Sequence, residues 1–150
     1  MENMNNSSET PEISLLQHIH KGTVMGVESI RHVTTLSDDA SFIKSLNSQL
    51  KEYEEIESQS AKMLRDAGQE PEGISAMAKF MTDMTSNMKS MMDHSPSKLA
   101  EIMIQGSTMG TTNLVKQMND YTGEDSSVTG LAQDLLDTEK RNIEEMKKYL

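Results

Sequence analysis

The chain contains no Cys and no Trp. Without thiols it has no disulfides, no thiolate metal sites and no thiol nucleophile. Three Tyr and two Phe are its whole aromatic complement, too few for the stacking platforms on which single-stranded nucleic acids lie. Basic residues are outnumbered as well: 14 Lys and Arg stand against 24 Asp and Glu, a formal net charge of −10. An acidic chain does not build a phosphate-binding surface, so nucleic acid is not an expected partner. No run of about 18 apolar residues occurs, so no membrane span is expected. The opening MENMNNSSETPE lacks the basic start and apolar stretch of a signal peptide, and a cytoplasmic setting is expected. Gly-x-Ser-x-Gly, P-loop and dinucleotide glycine patterns are missing too, so no nucleophile or nucleotide constellation stands out.

What remains is the makings of helices. At 150 residues the chain is long enough for one domain with a substantial core. Its three Pro, with Gly68 and Gly123, fall where helices should begin and end. Residues 1–10 are polar and read as a disordered tail, and residues 11–150 as a single domain. Thr10-Pro11 is an N-cap followed by Pro at the first helical position, which predicts a first helix from Pro11 to Leu36. Asp39 opens a second, to Ala67, with Gly68 as its left-handed terminator. A third runs from Ile74 to Asp93. Ser95-Pro96 repeats the cap-plus-Pro signal for a fourth, to Tyr121, and Ser126-Ser127 starts a fifth that continues to the C-terminus. No stretch alternates with period two, so the expected class is all-α.

Core-facing stripes with spacings of three and four support this reading. The first helix offers Leu16, Ile19, Thr23, Gly26, Ile30 and Val33; the second offers Ile43, Leu46, Leu50, Tyr53, Glu57, Ser60 and Leu64. The fourth offers Ala100, Ile104, Ser107, Thr111, Leu114 and Met118; the fifth Val128, Ala132, Leu135, Glu139, Asn142 and Met146. An internal repeat runs through them. Gly22-Thr23-Val24-Met25-Gly26 matches Gly106-Ser107-Thr108-Met109-Gly110, and with nearly the same offset Leu50 matches Leu135 and Glu54 matches Glu139. Two helical hairpins related by a pseudo-twofold are expected, with the third helix crossing between them. The mid-helix glycines suggest close packing of the first helix on the fourth, with Met25 and Met109 filling gaps.

Three polar residues, Glu57, Glu139 and Asn142, fall in the apolar stripes, and Glu54 borders the same face. Antiparallel pairing about turns near Asp38 and Glu124 sets Glu54 level with Gly22, Glu57 with Ile19 and His20, Glu139 with Met109, and Asn142 with Gly106. A carboxylate in a core must be neutralised, paired, solvated or metal-bound. Glu57 and Glu139 are expected to approach each other, with at least one pKa raised. A register-fixing polar layer and a metal site are both open on this pattern. His18, His32 and His94 carry no spacing signal.

Two hairpins with a long crossover, each with an acidic residue at the same place in its second helix, resemble the ferritin-like superfamily of rubrerythrins and bacterioferritins. That resemblance implies a four-helix bundle and a carboxylate centre for iron or another divalent metal. The family's Glu-x-x-His would fall on Glu54-x-x-Glu57 and Glu139-x-x-Asn142, so both His positions are changed. Where the family has its first-helix Glu, this chain has Gly22 and Gly106. The implied metal ligands are Glu54, Glu57, Glu139, Asn142 and His20, in a degenerate centre.

Met77, Met81, Met84, Met88 and Met91 line one face of the third helix. The seam is read as core packing or as a surface for self-association or a protein partner. The expected function is a non-enzymatic binding or assembly module that needs no cofactor. The alternative is an iron-type carboxylate protein with a redox or storage role.

Overall fold

Each long helix begins where a side chain can satisfy its first amides. The Thr10 hydroxyl accepts from the Ile13 amide at 3.2 Å, the Asp39 carboxylate from Phe42 at 2.8 Å, and the Ser95 hydroxyl from Lys98 at 3.2 Å. The Asp125 carboxylate accepts from Ser127 at 2.9 Å. These caps open α1 (Pro11–Leu36), α2 (Ala40–Asp66), α4 (Pro96–Asp120) and α5 (Ser126–Lys147), while α3 (Ser75–Ser90) lies between the two pairs. Gly68 ends the second helical segment at φ +78°, with its amide on the Arg65 carbonyl and the Gln69 amide on the Leu64 carbonyl. The structure is a computed structural model that describes residues 9–72 and 75–150, the side chains of residues 75–77 and 80 excepted. Residues 1–8 of the expected tail and the side chain of Met77 lie outside the described residues. Among the described residues the fold is all-α, with five helices and no strand, and no helix is long and apolar enough to cross a membrane.

α1 pairs with α2 and α4 with α5 as antiparallel hairpins, and the hairpins meet along α2–α5 and α1–α4. The α2–α5 seam is clearest at one end. There the Phe42 and Tyr149 rings meet edge to face at 5.0 Å, and the Tyr149 and Ser45 hydroxyls are 2.7 Å apart. At the other end the Tyr121 hydroxyl donates to Glu12 and accepts from the Asp125 amide, both at 3.1 Å, which ties the α4–α5 turn to the start of α1. The core is aliphatic: Ile19, Ile30, Leu46, Leu64, Leu99 and Leu114 are almost wholly enclosed.

Three expectations need correction. The buried stripe of α2 runs Phe42, Leu46, Gln49, Tyr53, Ile56, Ser60 and Leu64. It keeps Leu46, Tyr53, Ser60 and Leu64 of the expected stripe, but Phe42, Gln49 and Ile56 take the places of Ile43, Leu50 and Glu57, so Ile56 faces the core and Glu57 sits at its edge. Burying Phe42 and Ile56 outweighs keeping Leu50 fully inside. α3 packs on α1 rather than across a groove between hairpins. It encloses Met88, with Met84 and Met91 against the core, so these members of the methionine seam are packing residues. Finally, the mid-helix glycines do not bring α1 and α4 together, and Met109 is 62% exposed rather than a gap filler. A Cβ on Gly26 would lie 2.9 Å from the Tyr53 ring of α2, and one on Gly110 would lie 3.4 Å from the Glu139 carboxylate of α5. A Cβ on Gly22 would reach Leu135 at 3.9 Å, and one on Gly106 would meet nothing within 4 Å.

The contrast between the glycines is testable by urea denaturation. Gly26→Leu drives a side chain into the Tyr53 ring and is expected to destabilise by about 1–3 kcal/mol. Gly106→Ala adds a methyl in open space and is expected to stabilise by up to about 1 kcal/mol through helix propensity. Equal effects at the two positions would contradict the packing described.

Candidate functional site

The polar residues of the helix stripes form two groups. The first is buried between the hairpins. Glu139 and Asn142 come one turn apart from α5, Tyr53 from α2, and Ser107 and Gly110 from α4. Tyr53 and Asn142 are each 3% exposed and Glu139 is 7% exposed. Gly110 leaves the room that the Glu139 carboxyl occupies. Burial pushes the Glu139 carboxyl up to about 7, against a smaller opposing pull from the Tyr53 and Ser107 hydroxyls. Burial, and then the neighbouring Glu139, push the Tyr53 phenol well above its ordinary range, so it stays neutral. Among the described residues, Glu139 Oε2 and Asn142 Nδ2 are enclosed and have no hydrogen-bond partner; Gln49 Nε2 and Thr111 Oγ1 share that condition. A buried acceptor and buried donors left open in this way are what an ordered water satisfies.

The second group lines an open cleft of about 450 Å³ beside α1, α2 and the segment after α2, with His20, Glu54, Glu57, Arg65, Glu70 and Pro71 in its wall. His20 is buried, and its Nδ1 lies 3.2 Å from the Ser60 hydroxyl. Burial lowers its pKa, only partly offset by the Glu57 carboxylate, so the imidazole is neutral near pH 7. Ser60 is fully buried and its hydroxyl donates to the Glu57 carbonyl at 2.9 Å. The contact ties α1 to α2 behind the cleft wall. Glu54 is exposed and paired with Arg31 at 3.2 Å. The segment after α2 is held by Gln17, whose side chain donates to the Glu70 carbonyl at 2.9 Å and accepts from the Glu72 amide at 2.8 Å, with Lys21 and Glu72 ion-paired beside it.

The five expected metal ligands are therefore divided: Glu139 and Asn142 in the buried layer, His20, Glu54 and Glu57 at the cleft. Among the described residues no three His, Cys, Asp or Glu side chains come close enough to hold a metal ion. Nor is Glu57 one of the groups that perturb Glu139, whose raised pKa comes from burial and not from a second carboxylate. Glu139 lies in the buried layer against Gly110 and beside Tyr53, a turn along α2 from Glu57, while Glu57 lines the open cleft with His20, so the expected pairing is corrected and the expected raised pKa is found at Glu139 alone. The α1–α2 register also differs from the expected levels by about one turn: His20 meets Ser60 and Gly26 meets Tyr53. Tyr53 was visible as a stripe residue, but its hydroxyl has a role only once α2 is set against α5. Gln17 and Gln49 gave no spacing signal.

No model of a known protein family matches this chain, and no curated protein matches it. Among solved structures, the crystal structure of a DUF305 fragment from Deinococcus radiodurans matches with a TM-score of 0.69, covering 93% of this chain and 95% of that one at 17% sequence identity. At that identity the likeness carries the fold alone. The comparison replaces the ferritin-like resemblance: the fold is shared with a DUF305 helical domain, and no family match supports membership of the ferritin-like superfamily. The residues agree with the correction. Gly22 and Gly106 occupy the places where that family's Glu ligands would be, and Glu54 is spent on a surface ion pair.

The buried carboxyl makes stability depend on pH. Its folded pKa, about 7, lies above the ordinary value of 4.5. Below pH 4.5 both folded and unfolded states carry the proton and no penalty acts. As pH rises toward 7 the unfolded chain ionises first, and stability falls by up to about 3 kcal/mol in total. Glu139→Gln removes this loss. The difference in unfolding free energy between the variant and the parent chain is therefore expected to grow in the variant's favour between pH 5 and 8. Parallel pH profiles would contradict the burial described.

Proposed function

We propose that the chain is a non-enzymatic binding or assembly module. In this reading the four long helices act as a four-helix bundle, and the polar layer around Glu139 fixes how its hairpins sit. One observation carries the reading: α4 is far less covered than its neighbours. Three of its residues, Leu99, Ala100 and Leu114, are buried, against ten in α1 and nine in α5. Met109 and Val115 lie exposed on its outer side. These two do not form a contiguous patch; what supports the reading is the sparse cover of the helix as a whole. The methionine seam contributes less, because Met84, Met88 and Met91 pack inward; Met92, just past α3, is fully exposed and belongs to the accessible surface.

A second reading rests on the open Glu139 Oε2. A divalent cation, iron included, would take that oxygen, with Asn142 and the Tyr53 hydroxyl beside it. One carboxylate is a sparse ligand set for a hard dication. Stoichiometric metal in protein from iron-, manganese- or zinc-supplemented culture, lost in Glu139→Ala, would favour it over the assembly reading.

The assembly reading is tested by placing a photo-crosslinking amino acid at Met109 and, as a control, at Lys62 on the exposed side of α2. A discrete adduct from position 109 and none from position 62 is expected. Absence of any adduct from position 109 across the working concentration range would contradict the reading.

A further inference from the structure

The contact face on α4 has a charge pattern of its own. Between Glu101 and Lys116 no residue is charged, the longest such stretch in a chain of net charge −10. Along its outer side, Glu101, Gln105, Thr108, Met109, Thr112 and Lys116 recur at intervals of three and four (Thr108 and Met109 being adjacent), and all are exposed. That spacing places them on one helix face about 23 Å long from end to end. The pattern is self-complementary. Run antiparallel to itself about a point between Thr108 and Met109, the strip sets Glu101 opposite Lys116, Gln105 opposite Thr112, and Thr108 opposite Met109.

We infer, resting on the assembly reading above, that the partner of α4 is a second copy of this chain, docked antiparallel about a twofold axis between Thr108 and Met109. Three physical arguments favour this occupant. Two chains of net charge −10 repel wherever their acidic surfaces meet, and this strip is where that repulsion is least. Each copy's Glu101 meets the other's Lys116, so the ends of the strip attract. The Glu101 carboxylate shares an exposed 3.4 Å contact with Lys98, a weak surface pair that does not prevent a second cation from approaching. Lys116 makes no ion pair among the described residues. Finally, Gly106 costs helix propensity and a Cβ there would meet nothing within its own chain. Gly106 flanks the strip rather than lying on it, so it leaves the approach of a partner helix uncrowded without itself making the contact. Isologous contacts of this kind are the commonest route to a homodimer. A single helix face is smaller than the roughly 800 Å² per partner of a stable interface, so the dimer is reversible and concentration-dependent.

Sedimentation equilibrium of the full chain over micromolar to millimolar concentration tests the inference. The parent chain is expected to move from monomer to dimer and no further. Lys116→Glu, at an exposed position, sets like charges opposite each other twice and is expected to weaken the dimer by roughly tenfold or more, with helical circular dichroism unchanged. Glu101→Lys combined with Lys116→Glu restores opposite signs and is expected to restore the dimer. A parent chain that stays monomeric overturns the inference, as does a dimer indifferent to Lys116→Glu or a double variant that fails to recover. The crosslink from position 109 separates this inference from the reading beneath it. An adduct at twice the chain mass supports both, an adduct at another mass removes the second copy and leaves the assembly reading, and no adduct removes both.

Discussion

Everything at the centre of the molecule turns on Tyr53. Its ring fills the space that Gly26 leaves on α1, where even one added carbon would be 2.9 Å away. Its hydroxyl lies in the buried layer beside Glu139, Asn142 and Ser107 of the other hairpin, near enough that these groups bear on its proton. One side chain thus fixes the level of α2 against α1 by shape, and the level of α2 against the α4–α5 hairpin by polarity. A ring pressed on a glycine permits one register, since a shift of either helix by a residue would set a Cβ against it. A polar layer adds a second constraint of a different kind, because any misregister leaves further buried donors and acceptors unsatisfied.

The carboxyl of Glu139 is the costly member of this layer. It is enclosed, with Oε2 unpartnered among the described residues, and burial makes it resist ionisation up to about pH 7. The cleft that does open to solvent holds a neutral histidine committed to a buried serine and an acidic residue committed to an arginine. At the surface, α4 is the long helix that its own chain covers least.

Much of this fold is legible from the sequence because it depends on local chemistry. Thr10-Pro11 and Ser95-Pro96 announce their helices, Gly68 ends one, and the structure places α1 and the start of α4 on the residues that the caps imply. Glu139 and Asn142 are also legible as polar residues in a core stripe, since α5 offers no competing apolar face. α2 is different. Both Leu50 and Ile56 compete for its inner side, and burying Phe42 and Ile56 against the other helices, which no spacing within α2 encodes, turns Glu57 to the edge. Glu57 then faces the cleft while Glu139 stays in the buried layer, and the five-residue centre that the ferritin-like resemblance implied is divided. The repeat is real as a pattern but its two copies do unlike things: Gly26 receives a tyrosine ring and Gly110 a carboxyl.

The claim that one tyrosine couples the two hairpins is tested most directly by a double-mutant cycle on Tyr53→Phe and Glu139→Gln, read as unfolding free energy at pH 8. Each variant alone alters one side of the layer. If the hydroxyl and the carboxyl act on each other as described, the two effects are non-additive, with an interaction energy of about 0.5–3 kcal/mol. Additivity within about 0.3 kcal/mol would show that they do not interact, and would contradict the account of how the hairpins are held.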